Sequence, residues 1–427
     1  VSEPELLIES RHDLPIVHFQ IVLRDGSLGD PADKAGLTRV TARMLRRGTA
    51  RMESRAIEER IDSLGAELSI ETAPSYVRVL GSVIKRSLAP MLELVGEMLH
   101  SPSFPEAELQ LVKRETQAAM VELTDSDSAL VSTHFRRHLF RGHPYGRPGI
   151  GTRSSVSTIT LEDVQHTYRE RLSKAARIIG FAGDIHEAEA QALVAQHLSG
   201  SELRSGPAQL APEPTPHAGR RLRIVDKPER TQTQIQIGCL GTHPRDHDHT
   251  ALLVGNAVFG GAFSARLMKE VRSARGWSYG ASSRLGLDRV REAFSMWTFP
   301  ASSDAAPCIA LQLELMERWV AGGISDEELA FAKSYLVKSY AFAIDTPDKR
   351  LEQAVELSLF DLPRDYFSSY TTRVGSVTRD EINAALPRRL SPSDLTLCVV
   401  ATDAEIGAAL RALPGLTSVE VVPFDAD

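Results

Sequence analysis

At 427 residues the chain is too long for one ordinary core and fits two or three domains, and a composition of 42% hydrophobic and 25% charged residues excludes disordered and collagen-like classes. The balance of 49 basic against 56 acidic residues leaves a net charge of −7, so nothing favours nucleic acid or anionic lipid as a partner. No run of about 18 consecutive apolar residues occurs, so no membrane span is expected, and the dispersed Cys239, Cys308 and Cys398 predict neither a disulfide framework nor a thiolate metal site.

A chain that starts at Val1 is expected to have a processed or engineered N-terminus; a removed export signal predicts a periplasmic location, with the cytoplasm as the alternative. Val17, Phe19, Ile21 and Leu23 alternate with more polar neighbours, the period of a half-buried strand that Asp25-Gly26 ends. From Asp33 to Arg47 the apolar residues Leu37, Val40, Met44 and Leu45 follow helical spacing, with Gly48 as a stop. Pro207, Pro212, Pro214 and Pro216 mark an extended connector. The expected organisation is thus a first domain over 1–206, a linker over 207–219 and a second domain over 220–427. In the second domain Ile235, Ile237 and Cys239 alternate as a strand, a His- and Asp-rich loop follows, and a helix runs from Ala251 through Phe259 into Gly260-Gly261.

The two domains read as copies of one unit. Thr160-Leu161-Glu162-Asp163-Val164 matches Thr378-Arg379-Asp380-Glu381-Ile382 in residue type, and at the same offset Leu172-Ser173 falls on Leu390-Ser391. The apolar strand Arg177 to Ala182 then falls on Leu395 to Val400. One constant offset over three features predicts an α+β fold of two homologous domains, each a largely antiparallel sheet with helices packed on one face.

Phosphate-binding Gly-rich loops and the Gly-x-Ser-x-Gly of serine hydrolases are absent. His134 and His138 stand one helical turn apart and in principle could share a metal, but Phe135, Arg136 and Arg137 between them supply no general base and two repelling cations. They read better as partly exposed helix histidines. His243, His247 and His249, with Asp246 and Asp248, read better as a solvated turn than as a metal site.

The chain resembles the pitrilysin/insulinase family of zinc peptidases, which includes the mitochondrial processing peptidase. The resemblance rests on Gly26-Ser27, Lys34-Ala35-Gly36-Leu37 and Met44 through Arg47-Gly48-Thr49, on Gly142-His143-Pro144-Tyr145-Gly146 with Gly151-Thr152, and on the segment from Gly260 to Tyr279. It implies a catalytic helix carrying His-x-x-Glu-His, two zinc ligands and a general base. Here those positions hold Arg39, Ala42 and Arg43. A permanently protonated guanidinium cannot ligate zinc, and alanine cannot take a proton. Glu115 and Glu122, seven residues apart, look like the family's paired acids, with the third zinc ligand among them. Glu122 is expected to pair with Arg43 or Arg39; a solvated helix face is the alternative for the two arginines.

The resemblance further implies that an arginine and, seven residues on, a tyrosine of the second domain reach a zinc centre, and Arg272 and Tyr279 stand at that spacing. Both donate hydrogen bonds suited to an oxyanion or a peptide carbonyl. Arg275 is four residues from Tyr279 and does not match. These features predict a subunit, inactive alone and without metal of its own, of a heterodimeric zinc endopeptidase. Its partner would be a homologous chain carrying His-x-x-Glu-His and the zinc, and its substrate a peptide or unfolded protein. The alternatives are a structural core-type subunit and a stand-alone peptide-binding module.

Overall fold

The computed structural model describes residues 3–199, 203 and 211–426. The first sheet contains β1 (Glu5–Ser10), β2 (Ile16–Leu23), β3 (Glu67–Thr72), β4 (Val77–Ile84) and β5 (Arg177–Gly183), in the order β1-β5-β2-β4-β3. The second contains β6 (Arg220–Asp226), β7 (Gln234–Leu240), β8 (Ala281–Leu285), β9 (Ala293–Thr298), β10 (Thr396–Ala401) and β11 (Leu416–Pro423), in the order β11-β6-β10-β7-β9-β8. Only β1/β5 in the first sheet and β10/β6 and β11/β6 in the second are parallel. The α+β class and the largely antiparallel pairing are those the sequence predicts.

The repeat is visible at the level of single hydrogen bonds. Thr160 and Thr378 each close a capping box, with Asp163 and Glu381 respectively, at the start of matching helices. The strands that follow, β5 and β10, are buried along their whole length. Of the expected connector, residues 207–210 lie outside the described residues, and 211–218 form neither helix nor strand.

Each sheet is covered on a second face by a helix from the other half. On β2, Val17, Phe19, Ile21 and Leu23 belong to the first half's main core, whereas Val22 on the opposite face joins Leu351, Val355 and Leu359 of the second half. The four helices used below are α1 (Leu37–Met44), α2 (Glu106–Asp125), α3 (Asp127–Leu139) and α4 (Pro347–Leu359). Helix α4 packs on β5 and β1 of the first sheet, and α3 packs on β10, β7 and β6 of the second. Glycines on the sheets make room for both. A Cβ on Gly180 of β5 would stand 2.6 Å from Leu351 Cδ1, and one on Gly238 of β7 would stand 3.0 Å from Phe135 Cζ. The polar positions of β2 are therefore not solvent-facing throughout: Gln20 donates to Glu352 of α4 at 2.9 Å.

The helical stretch His249–Ser273 contains a window of mean hydropathy 1.4, 67% of it buried inside the protein. Its apolarity serves the second core, where Phe259 stacks on Trp319 at 4.3 Å.

Candidate functional site

Helix α1 is shorter than the expected span of 33–47. Gly36 sits at its N-cap with φ of 91°, a left-handed conformation that breaks the chain direction and favours glycine. The buried Asp30 carboxylate fixes this start, accepting from the backbone N–H of Gly36 at 3.1 Å and of Thr38 at 3.0 Å. Arg171 holds Asp30 from the other side at 3.3 Å. Leu37, Val40 and Met44 face the core, and the opposite face of α1 meets α2.

Arg39 and Arg43 project from this helix, while Ala42 is fully buried within the apolar cluster. Arg43 is ion-paired with Glu115 and donates to the Thr116 hydroxyl at 3.0 Å. Arg47 donates to the same Glu115 oxygen at 2.6 Å and approaches Glu108 at 3.6 Å. Glu115, not Glu122, is thus the partner of Arg43. Glu122 is exposed and makes no ion pair among the described residues, because it lies two turns further along α2. Arg39 is half-buried with no acidic partner, and its Nε is buried without a hydrogen bond. Burial, and after it the neighbouring Arg43, lower its pKa. Arg43 and Arg47 thus occupy Glu115, with Arg39 uncompensated beside Arg43, an environment that repels a divalent cation.

Both histidine sets differ from expectation. His134 and His138 are not partly exposed: each is 3% exposed, buried where α3 lies against the second sheet. Burial, with Arg137 and Arg223 beside His134 and Arg223 and Arg221 beside His138, lowers their pKa to about 4 and about 3. The loop over 243–249 is not a solvated turn either. His249 is buried between Thr242 and the Tyr366 hydroxyl, and Asp248 is held by Arg388 and Arg389, both at 2.9 Å. Within it Arg245 and His247 are exposed, while His243, Asp248 and His249 are buried. No group of three or more His, Cys, Asp or Glu placed to hold a metal occurs among the described residues.

In the second half, the turn Lys269–Ser273 is anchored by buried Leu267 and Val271 and by a two-pronged ion pair from Arg266 to Glu328 at 2.7 and 2.6 Å. Gly276, with φ of 67°, reverses the chain and donates its N–H to the Arg272 carbonyl at 2.9 Å. The Ser278 hydroxyl then pins the backbone on both sides of Tyr279, donating to the Gly280 carbonyl at 2.7 Å and accepting from the Phe299 N–H at 3.2 Å. The Tyr279 ring nevertheless stands 77% exposed. The Arg272 guanidinium makes no hydrogen bond or ion pair among the described residues and lies over the exposed Phe263 ring at 5.3 Å. Arg275, by contrast, is committed to Glu270 at 2.6 Å.

Residues 6–153 match the family model described as Insulinase (Peptidase family M16), and residues 158–336 match Peptidase M16 inactive domain. The chain belongs to the M16 peptidase family. Among its M16 relatives, an uncharacterized zinc protease of Mycobacterium tuberculosis is 26% identical over 386 residues, covering 88% of this chain and 87% of that protein. A Helicobacter pylori protein named a non-peptidase homolog is 21% identical over 396 residues, covering 92% and 91% respectively. The crystal structure of a peptidase M16 inactive domain from Pseudomonas fluorescens superimposes with a TM-score of 0.83 at 22% identity, over 98% of this chain and 97% of that one. That likeness concerns the fold.

Proposed function

We propose that this chain is the non-zinc-binding subunit of a two-chain M16 endopeptidase, supplying Arg272 and Tyr279 to the zinc site of a homologous partner. The observation that carries this reading is a contrast between two places in one chain. At the positions that the resemblance likens to the family's zinc helix stand Arg39, Ala42 and Arg43, with Arg43 ion-paired to Glu115. Where the second-half pair stands, the backbone is tightly held while Arg272 and Tyr279 have no polar partner of their own. A side chain kept exposed on a braced turn is suited to work on something outside the chain. Similarity to proteins named a zinc protease and a non-peptidase homolog supports a family role with altered zinc chemistry.

In the mechanism proposed, the partner would hold the zinc, which would supply water activation and polarisation of the scissile carbonyl. The Tyr279 hydroxyl donates to the oxygen on which negative charge develops, and Arg272 holds a peptide carbonyl nearby. Substrates are peptides or unfolded segments. The test is co-purification of this chain with a homologous chain carrying His-x-x-Glu-His: peptidase activity present in the mixture and absent from either chain alone supports the reading. Activity of the partner that is indifferent to this chain contradicts it.

A further inference from the structure

Two cavities meet beside α3: one of about 570 Å³ between the halves, and one of about 500 Å³ running toward the outer strand β11. They share Arg137, Phe140, Gly146 and Arg147 in their walls. The smaller cavity has a one-sided charge. Arg141, Arg147 and Arg223 line it, and the only carboxylate in its wall among the described residues is Glu420. That carboxylate is already committed to Arg223 at 2.9 Å. Arg147 donates to a neutral acceptor, the Asp30 carbonyl, at 2.9 Å, and Arg141 has no hydrogen bond or ion pair among the described residues. Arg221, packed behind them, has its pKa lowered by burial and then by Arg141 and Arg223, the mark of positive charge left unrelieved.

A buried polar side chain lines the same space. His134 lines the cavity, is 3% exposed, and its Nδ1 has no hydrogen-bond partner. With its pKa held near about 4 by burial and then by Arg137 and Arg223, it is a neutral imidazole at ordinary pH, able to donate one hydrogen bond. A guanidinium without an ion pair among the described residues (Arg141), a second that meets only a carbonyl (Arg147) and a buried, unsatisfied imidazole on one cavity wall are unusual in a chain of net charge −7. The planar fork of a guanidinium matches the oxygens of a phosphate or a carboxylate, whereas a cation or a neutral apolar ligand would leave these donors unsatisfied.

We propose that this cavity binds a small oxyanion, held by Arg141 and Arg147 with His134 as the buried donor. The site lies wholly on this chain and is independent of the zinc partnership. Titration calorimetry of the intact chain with inorganic phosphate and, separately, with succinate, at ionic strength held constant with chloride, tests it. One-to-one saturable binding of at least one anion is expected, weakened about tenfold or more in Arg141→Gln and unchanged in Arg364→Gln. Both arginines are exposed and unpaired, so neither change threatens the fold. Phosphate binding that depends on Arg141 assigns a phosphate site, and succinate binding that depends on Arg141 assigns a carboxylate site. No saturable binding of either anion, or equal weakening in both variants, overturns the proposal by reducing the effect to diffuse counter-ion attraction.

Discussion

Replacing Leu351 with alanine tests whether the crossed helices weld the two halves into one cooperative unit. Leu351 is fully buried and packs over Gly180, a position with no side chain to fill the gap. With β5 held between β1 and β2, the sheet has little freedom to collapse onto the void. The cost therefore belongs at the upper part of the range for leucine truncation, about 3–5 kcal/mol. That is a large fraction of the stability of a typical domain, about 5–15 kcal/mol. All three tryptophans, Trp277, Trp297 and Trp319, lie in the second half, so their fluorescence during urea denaturation reports that half alone. Hydrogen exchange of the β1 and β5 amides reports the first. Leu351→Ala should lower the tryptophan midpoint and accelerate β1 and β5 exchange together. Adding Gly180→Ala should cost less in the Leu351→Ala background than in the parent, because its Cβ then enters the vacated space. A tryptophan midpoint that stays at the parental value while β5 loses protection would show that the halves unfold independently and refute the coupling.

Three further outcomes follow from particular residues. Burial first, then Glu352, raise the pKa of Glu356 on α4 to about 7, while Arg78 opposes the shift. An acid whose folded pKa lies above its unfolded value loses stability as pH rises from the unfolded pKa through the folded one. Stability should fall by about 1–2 kcal/mol between about pH 4.5 and pH 7.5, a figure reduced from the full linkage because the carboxyl is only partly shielded from water. Glu356→Gln should flatten that slope in denaturation measured across this range; an unchanged slope would contradict the assignment. The triple variant Arg39→His, Ala42→Glu, Arg43→His should bind zinc weakly at most, measured by metal analysis after dialysis. The carboxylate introduced in place of Ala42 would enter an apolar wall, and Arg47 still occupies Glu115. Stoichiometric zinc in it would show that the scaffold kept a working site. Glu115→Gln should change the stability of the first half by no more than about 1 kcal/mol, read from hydrogen exchange of the β1 and β5 amides, because this ion-pair cluster is partly solvated.

The parts of the fold that were legible in the sequence are those carried by local pattern. The period-2 run from Val17 to Leu23 and the matched Thr160 and Thr378 caps each depend on residues within a few positions of one another. Their structures agree with their sequences for that reason. The crossed helices were not legible, since nothing local distinguishes a helix that covers its own sheet from one that covers its neighbour's. The same limit explains the histidines: His134 and His138 read as partly exposed helix residues on either side of Arg136 and Arg137, and only the arrival of the second sheet buries them. For α1, residue identities alone led to the expectation that the zinc ligands are absent, but the choice of Glu115 over Glu122 depends on how α2 lies across α1. Arg141 and Arg147 of the proposed oxyanion cavity bracket the Gly142-to-Gly146 motif, but Arg223 comes from β6, and nothing local brings the three together.

The central claim, that this chain takes part in catalysis through Arg272 and Tyr279, is tested most directly by Tyr279→Phe in the reconstituted heterodimer. Tyr279 is exposed and makes no internal hydrogen bond, so removing its hydroxyl should leave folding, assembly and the partner's zinc content at parental levels. Steady-state turnover should then fall by roughly 10²–10³, the usual cost of one donor to a developing oxyanion. Parental turnover in an intact, zinc-loaded complex would contradict the account and leave this chain a structural subunit.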